Sequence, residues 1–427
     1  MTLGVLFLLF AGLIFTGVPV AFAMGVSAVL VIAWQGQVPL FLLPQKFFGG
    51  LNTFALLAVP FFILTGEIMD AGGVSNRLVV FVARLVGHIR GGLAQVSIVA
   101  MMIMSGISGS GAADTSAVGG VMLPQMISRG YHRGFSTALL ACAGALGPII
   151  PPSITMIVYG SITGLSIAAL FLSGIVPGII IGLGMMLVTY LYAGRLGIQP
   201  EVRPTAVELW RSFREAVLAL ILPVVIIGGI LTGVFTATEA GIVAALYSLV
   251  LSVTIYHSLS WRALGQALFN TAVTSSMVML VVSASTIFGW ILTREQFPRL
   301  MVRIMTGITT SRSLVVLLVM LLLLAIGCVV DILPAAVVFV PVLAPVGQAY
   351  GFDPIHFAAI VVFTLAVGGI TPPVGTFLFV ACGIAKVPMA ETFRFLPAYL
   401  ALIVGIIALV AFFPPLATFL PHYYMAR

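Results

Sequence analysis

Apolar residues run along this chain in long stretches, and polar residues gather at their ends. Neither Gly134–Gly194 nor Phe395–Ala426 holds an Asp, Glu, Lys or Arg. A helix needs about 20 apolar residues to cross a bilayer, so the first stretch alone holds at least two crossings. Backbone groups in lipid must pair within their own segment. The runs lack the two-residue alternation of a membrane barrel, so they are helices. In the first half the pattern predicts helices near 3–16, 19–34, 54–70, 135–160 and 166–194. The opening MTLGVLFLLF has no basic lead-in and reads as the first membrane helix rather than a cleaved signal. Residues 75–90 carry Arg77, Arg84, His88 and Arg90 at helical spacing and predict a helix lying along the interface. Asp114 interrupts the apolar run that follows. The limb after it, Thr115–Ser128, contains Pro124 and is too short to span. Residues 91–128 therefore read as a re-entrant hairpin, entering and leaving on one side.

The landmarks of the first half recur in the second. Gly17-Val18 with Gly25 returns as Gly233-Val234 with Gly241, and Asn52-Thr53 as Asn270-Thr271. Asp114 with Pro124 returns as Asp331 with Pro341, Pro151-Pro152 as Pro372-Pro373, and Pro177 as Pro397. The order is kept and the offsets lie between 216 and 221. The chain thus divides into units at 1–198 and 216–427. Between them, 199–215 carries Arg203, Trp210, Arg211 and Arg214 and reads as an amphipathic cytoplasmic linker. Broken helices are expected at 135–160 and 357–385, and the second hairpin at 313–346. Five crossings in the first unit place the second unit upside down, an inverted repeat. The predicted class is an all-α, multi-pass integral membrane protein of two inverted-topology repeats, with two re-entrant hairpins and two discontinuous helices.

Composition agrees with this picture. Hydrophobic residues make up 61% of the 427 and charged residues 7%, against roughly 25% charged in soluble domains. The net charge of +7 is scattered over loops, which marks membrane topology rather than nucleic-acid binding. With the N-terminus outside, Lys46, Arg294, Arg299, Arg303, Arg312 and Arg427 face outward, and the remaining twelve of 18 Lys and Arg face the cytoplasm. Cys142, Cys328 and Cys382 stand in apolar segments without a CxxC motif and read as small packed residues.

The chemistry sits at two kinds of interruption, each present once per unit. One is a hairpin rich in small and hydroxyl residues with an acid: Ser105, Ser108, Ser110 and Asp114 in the first unit, Gly327 to Asp331 in the second. The other is a Gly/Pro break: Gly144, Gly147, Pro148 and Pro151-Pro152-Ser153, matched by Gly368-Gly369, Thr371, Pro372-Pro373 and Thr376. Proline removes a donor and clashes with the preceding turn, so the helix unwinds there. Unwound backbone survives at membrane depth only around a protein-lined cavity. Its carbonyls suit a hard cation, and its half-helix N-termini suit an anion. A hairpin touching a break would give one sodium site per repeat. Asp114 and Asp331 read as substrate or ion ligands, with helix capping as the bland alternative. Glu239 has no acidic counterpart and reads as a helix-start residue; Glu67 and Asp70 read as interfacial.

The segments SGISGSGAADTSAVGGVMLP, GALGPIIPPS and GGITPPVGT, in inverted halves, resemble the large membrane subunit of the tripartite ATP-independent periplasmic (TRAP) transporters over essentially the whole chain. The resemblance implies a sodium-driven secondary transporter of the bacterial inner membrane, with a scaffold and an elevator-type transport domain. It implies three partners: a small four-helix membrane subunit, a periplasmic substrate-binding protein, and an organic acid. The acid is of the C4-dicarboxylate or sialic-acid class, and the layout is closer to the sialic-acid members. Carried over residue by residue, it places sodium ligands at Ser105, Ser108, Ser110, Gly144, Gly147 and Pro148, and at Gly327, Gly368, Thr371 and Thr376. Substrate contacts fall at Ser110, Asp114 and Asp331. The only metal expected is the coupling Na+, with no other cofactor. No Lys or Arg stands in the apolar core to meet a carboxylate, so sodium and substrate are expected to bind cooperatively.

Two rival readings have sequence support. Gly106-Ile-Ser108-Gly109 matches the GxSG pattern of intramembrane serine proteases, but the five histidines fall at segment ends, away from any base position. A channel or a different inverted-repeat symporter would share the hairpins and breaks. The chain contains no Walker A motif, so direct use of ATP is not expected.

Overall fold

The computed structural model describes residues 1–195, 198 and 203–425. Among these residues every regular element is helical. The first unit runs α1 (Thr2–Phe15), α2 (Val20–Gln35), α3 (Leu42–Gly49), α4 (Ala58–Ala71), α5 (Val74–Val86), α6 (Gly92–Ser108), α7 (Gly111–Ser128), α8 (Arg133–Gly144), α9 (Ile154–Thr163) and α10 (Ile167–Arg195). The second runs α11 (Ala206–Leu231), α12 (Ala237–Val250), α13 (Trp261–Arg294), α14 (Phe297–Ile308), α15 (Arg312–Gly327), α16 (Ile332–Ala349), α17 (Pro354–Gly368), α18 (Thr376–Ala385), α19 (Leu396–Phe412) and α20 (Pro415–Met425).

Six helices are long and apolar enough to cross a membrane, or seven if the bent pair α19–α20 is one span. Among them α10, α11 and α13 carry exposed Leu183, Leu187, Val224 and Met277, and the shorter α1 and α2 carry exposed Phe15 and Phe22. A water-facing surface would not hold so much apolar area in one band.

Both hairpins and both broken helices form. The pairs α6–α7 and α15–α16 are the hairpins; α8–α9 and α17–α18 are the broken helices. Packing between the units is reciprocal: α7 lies against α18, and α16 lies against α9. That exchange is what a two-fold relation between inverted units requires. Lipid gives helices no hydrophobic reason to associate, so close fit between small residues holds such contacts.

Two boundaries differ from the sequence reading. The first hairpin turns at Gly109-Ser110, not at Asp114, because Gly109 takes the left-handed conformation (φ +67°) and Ser110 caps α7 by accepting from the Ala113 N–H. The second limb is therefore 18 residues long, and Asp114 lies one turn inside it. The 199–215 linker is not a separate interfacial helix. Residues 199–202 lie outside the described residues, and from Ala206 the chain is already α11, which continues unbroken to Leu231. The units also differ from each other: residues 261–294 form one continuous helix, whereas the matching stretch of the first unit is split into α3 and α4 by the bend at Gly50–Thr53.

Glu239 completes a capping box at the start of α12. Its carboxylate accepts from the Thr236 N–H at 2.8 Å and from Thr236 Oγ1 at 2.9 Å. The side chain lies on the exposed face, away from both hairpins. Glu239→Gln is expected to keep wild-type transport with only a small fall in melting temperature, read by uptake assay and thermal unfolding.

Candidate functional site

Each broken helix unwinds because proline and glycine cannot continue it. Pro151-Pro152 and Pro372-Pro373 are both cis. Ser153 restarts the first helix, accepting from the Met156 N–H and donating to the Pro148 carbonyl at 2.7 Å. Gly375, at φ +45°, restarts the second. Among the described residues, no amide donates to the carbonyls of Ala145, Gly147 or Thr371 in these breaks. Oxygens left in this way suit a hard cation.

The hairpins touch the breaks backbone to backbone. A methyl group on Gly147 would strike the Gly111 backbone, and one on Gly111 would strike the Gly144 carbonyl. In the second unit a methyl on Gly327 would stand 2.7 Å from Gly368 Cα. Matching hydrogen bonds close the two pairs. The Ile154 N–H donates to the Gly109 carbonyl at 3.3 Å, and the Val374 N–H donates to the Cys328 carbonyl at 3.1 Å. The structure therefore sets Ser110 against Gly147 and Pro148, Gly111 against Gly144, and Gly327 against Gly368, while Ser108 meets Asp114, Thr376 meets Asp331, and Thr371 Oγ1 turns back to the Val367 carbonyl.

Each acid is held by a hydroxyl. Ser108 Oγ donates to Asp114 Oδ1 at 2.6 Å, and Thr376 Oγ1 donates to Asp331 Oδ1 at 2.7 Å. Asp114 is fully buried, and the Ser105 hydroxyl as well as that of Ser108 faces its carboxylate. The two acids are not counterparts, as their shared spacing to Pro124 and Pro341 implied. Asp331 occupies the cap position of α16, as Ser110 does for α7, and Pro345 rather than Pro341 then matches Pro124. The register is 221 here, not 217. Neither acid caps its helix: Ser110 does so in α7, and Asp331 makes no side-chain bond to α16.

Two cavities meet these groups. The smaller, about 60 Å³, lies between the two hairpin tips and is lined by Gly109, Ser110, Pro148, Thr155, Asp331 and Phe377, among others. The larger, about 380 Å³, runs from Ser108, Ser110 and Asp114 to Gly66, Glu67 and Asp70 on α4 and Asn270 and Thr274 on α13. Ser110 lines both. Sequence reasoning missed this second wall. Glu67 and Asp70, read as interfacial, face the cavity, and Asn270 Nδ2 donates to Glu67 Oε2 at 2.9 Å. Asn270 had served only as a repeat marker; its polar side chain in an apolar helix was the available signal.

A protease reading does not survive this geometry. The Ser108 proton goes to a carboxylate, and no histidine lines either cavity.

The family model described as tripartite ATP-independent periplasmic transporter, DctM component, matches residues 7–416. The chain is 37% identical to the 2,3-diketo-L-gulonate TRAP transporter large permease protein YiaN of Escherichia coli, over 94% of each chain. It is 36% identical to the sialic acid TRAP transporter large permease protein SiaM of Vibrio cholerae serotype O1, over 97% of each. Among solved structures, the Alcanivorax borkumensis YdaH transporter shares the fold at a TM-score of 0.65, with 15% identity over 88% of each chain.

Proposed function

The chain belongs to the tripartite ATP-independent periplasmic transporter family as its DctM component, a multi-pass inner-membrane transport protein and not an enzyme, and on that premise we propose that it imports an organic acid driven by sodium. One observation supports this most: each hairpin meets an unwound helix in direct backbone contact, and a hydroxyl-held acid stands at each meeting. The first sodium site comprises Ser105, Ser108 and Ser110 with Gly144, Gly147 and Pro148; the second comprises Gly327, Gly368, Thr371 and Thr376. Ser110, Asp114 and Asp331 take the substrate.

The substrate is an anion of the sialic-acid or C4-dicarboxylate class. Two relatives named for their cargo carry acids, and neither cavity is lined by Lys or Arg. The negative charge is met instead by sodium, backbone amides and the N-terminus of α7. A periplasmic binding protein delivers the acid, and a small four-helix membrane subunit completes the permease. The hairpins and broken helices move as one transport body against a scaffold that includes α4 and α13, so the larger cavity is the seam along which an elevator slides.

Reconstituted vesicles with both partners and an inward sodium gradient test this. Radiolabelled acid should accumulate above its outside concentration, and replacing sodium by potassium should stop it. Equal uptake in potassium would sink the symport reading; equilibration without accumulation would favour a passive pore. The hydroxyls provide a finer test. Thr376→Val and Ser108→Ala each remove a hydrogen bond to a carboxylate, worth about 1.5 kcal/mol. Each should raise the half-saturating sodium concentration by roughly tenfold, with the protein still folded.

A further inference from the structure

We propose that Phe377 is a positioning residue that couples the two cation sites, so that filling one tightens the other. The inference rests on the sodium reading above and adds the physical link between the sites. Phe377 is the second residue of α18 and is almost completely buried. Its backbone N–H donates to the Gly369 carbonyl at 2.8 Å, inside the second break. Its ring lies on that break and also on the first unit. A methyl on Gly369 would stand 2.7 Å from Cε2, one on Gly111 would stand 2.7 Å from Cζ, and one on Gly144 would stand 3.1 Å from Cγ. One flat ring therefore touches the backbone of the second break, the first hairpin and the first half of α8–α9.

In the first unit the second residue of the half-helix is Thr155, although the 221 register pairs Phe377 with Met156. Both Thr155 and Phe377 line the small cavity, but Thr155 carries a short hydroxyl side chain where Phe377 carries a ring that lies on Gly111 and Gly144 of the other unit. A ring with two torsions, wedged between backbone segments, cannot yield without moving them. When a cation draws in the carbonyls of the second break, Gly369 shifts and carries the Phe377 amide and ring with it. The ring then moves the Gly111–Gly144 contact that frames the first site. Such coupling is reciprocal: each site changes the affinity of the other by the same factor.

The test measures the sodium dependence of uptake by the reconstituted permease with its partners, and of thermal stabilisation of the purified protein. Phe377→Met keeps apolar volume but replaces the rigid ring with a flexible chain; Phe377→Leu removes the ring edge. Both should bring a Hill coefficient well above one down to about one, and raise half-saturating sodium by roughly tenfold, within the usual range of coupling between sites. Maximal rate at saturating sodium should stay within about twofold of wild type, because no ligand of either site is removed. Thr155→Ala should leave the Hill coefficient unchanged. A merely structural role would lower stability and maximal rate and leave cooperativity intact. That pattern, or an unchanged sodium curve in Phe377→Met, overturns the proposal while leaving symport standing. A wild type indifferent to sodium in both assays removes the symport reading, and the coupling with it.

Discussion

Replacing Asp331 by Asn abolishes uptake while leaving the protein folded. The carboxylate accepts from Thr376 Oγ1 across 45 residues, joining the second hairpin to the restart of the second broken helix. It also lines the cavity between the tips. An amide keeps the shape but loses the charge that accepts from Thr376, a proposed ligand of the second sodium site, and that faces the cavity proposed to take the substrate. The loss should reach about 100-fold in uptake at fixed sodium, near the upper end for one charge-assisted hydrogen bond. Stability should hold, because Asp331 stands at the cap position of α16 without capping it. The measurements are uptake in vesicles and melting temperature of the purified variant. Normal transport by Asp331→Asn would remove this residue from the site. A matching loss of stability would make it a structural residue instead.

Gly147→Val and Gly368→Val should silence the transporter as thoroughly, for a different reason. The atoms that a new side chain would strike at these two positions are backbone atoms of the facing hairpin: Gly111 and Ser110 for one, Gly327 for the other. Nothing flexible is available to give way. Overpacking a well-fitted site typically costs 1–3 kcal/mol even where side chains can adjust, and here the hairpin must lift from the break. The unwound carbonyls would then lose their second wall, so sodium-dependent thermal stabilisation should vanish along with uptake. Gly120→Ala in α7 and Gly383→Ala in α18 are the controls. A methyl group at either meets nothing within 4 Å, so both should transport normally and gain up to about 1 kcal/mol from better helix propensity. If the valine variants bind sodium like wild type, backbone contact is not what forms the sites.

Much of this was legible from local pattern. Long uncharged stretches announced the crossings, and Pro151-Pro152 and Pro372-Pro373 announced the breaks, because a proline's missing donor and fixed ring act on its own helix. The paired order of hairpin and break was equally plain. What misled was register. Asp114 and Asp331 share a ten-residue spacing to a proline, yet the caps of α7 and α16 show that Ser110 is the partner of Asp331. A spacing match does not say where a hairpin turns, and here Gly109 decided that. The linker was misjudged for a related reason. Its charges suit an interface, but the helix that a capping box starts at Thr205 runs on to Leu231, with Pro223 accommodated inside it.

Local pattern along the chain was enough to give the class, the two inverted units and the positions where helices had to unwind. These follow from forces that act within one or two turns: apolar length, missing amides and glycine freedom. It took the packed helices to show which hydroxyl holds which acid, that Glu67 and Asn270 wall the larger cavity from 203 residues apart, and that Phe377 reaches both breaks. Those contacts depend on how finished helices dock. In lipid that docking is governed by close fit of small residues rather than by apolar burial, and close fit leaves no periodic mark along the chain.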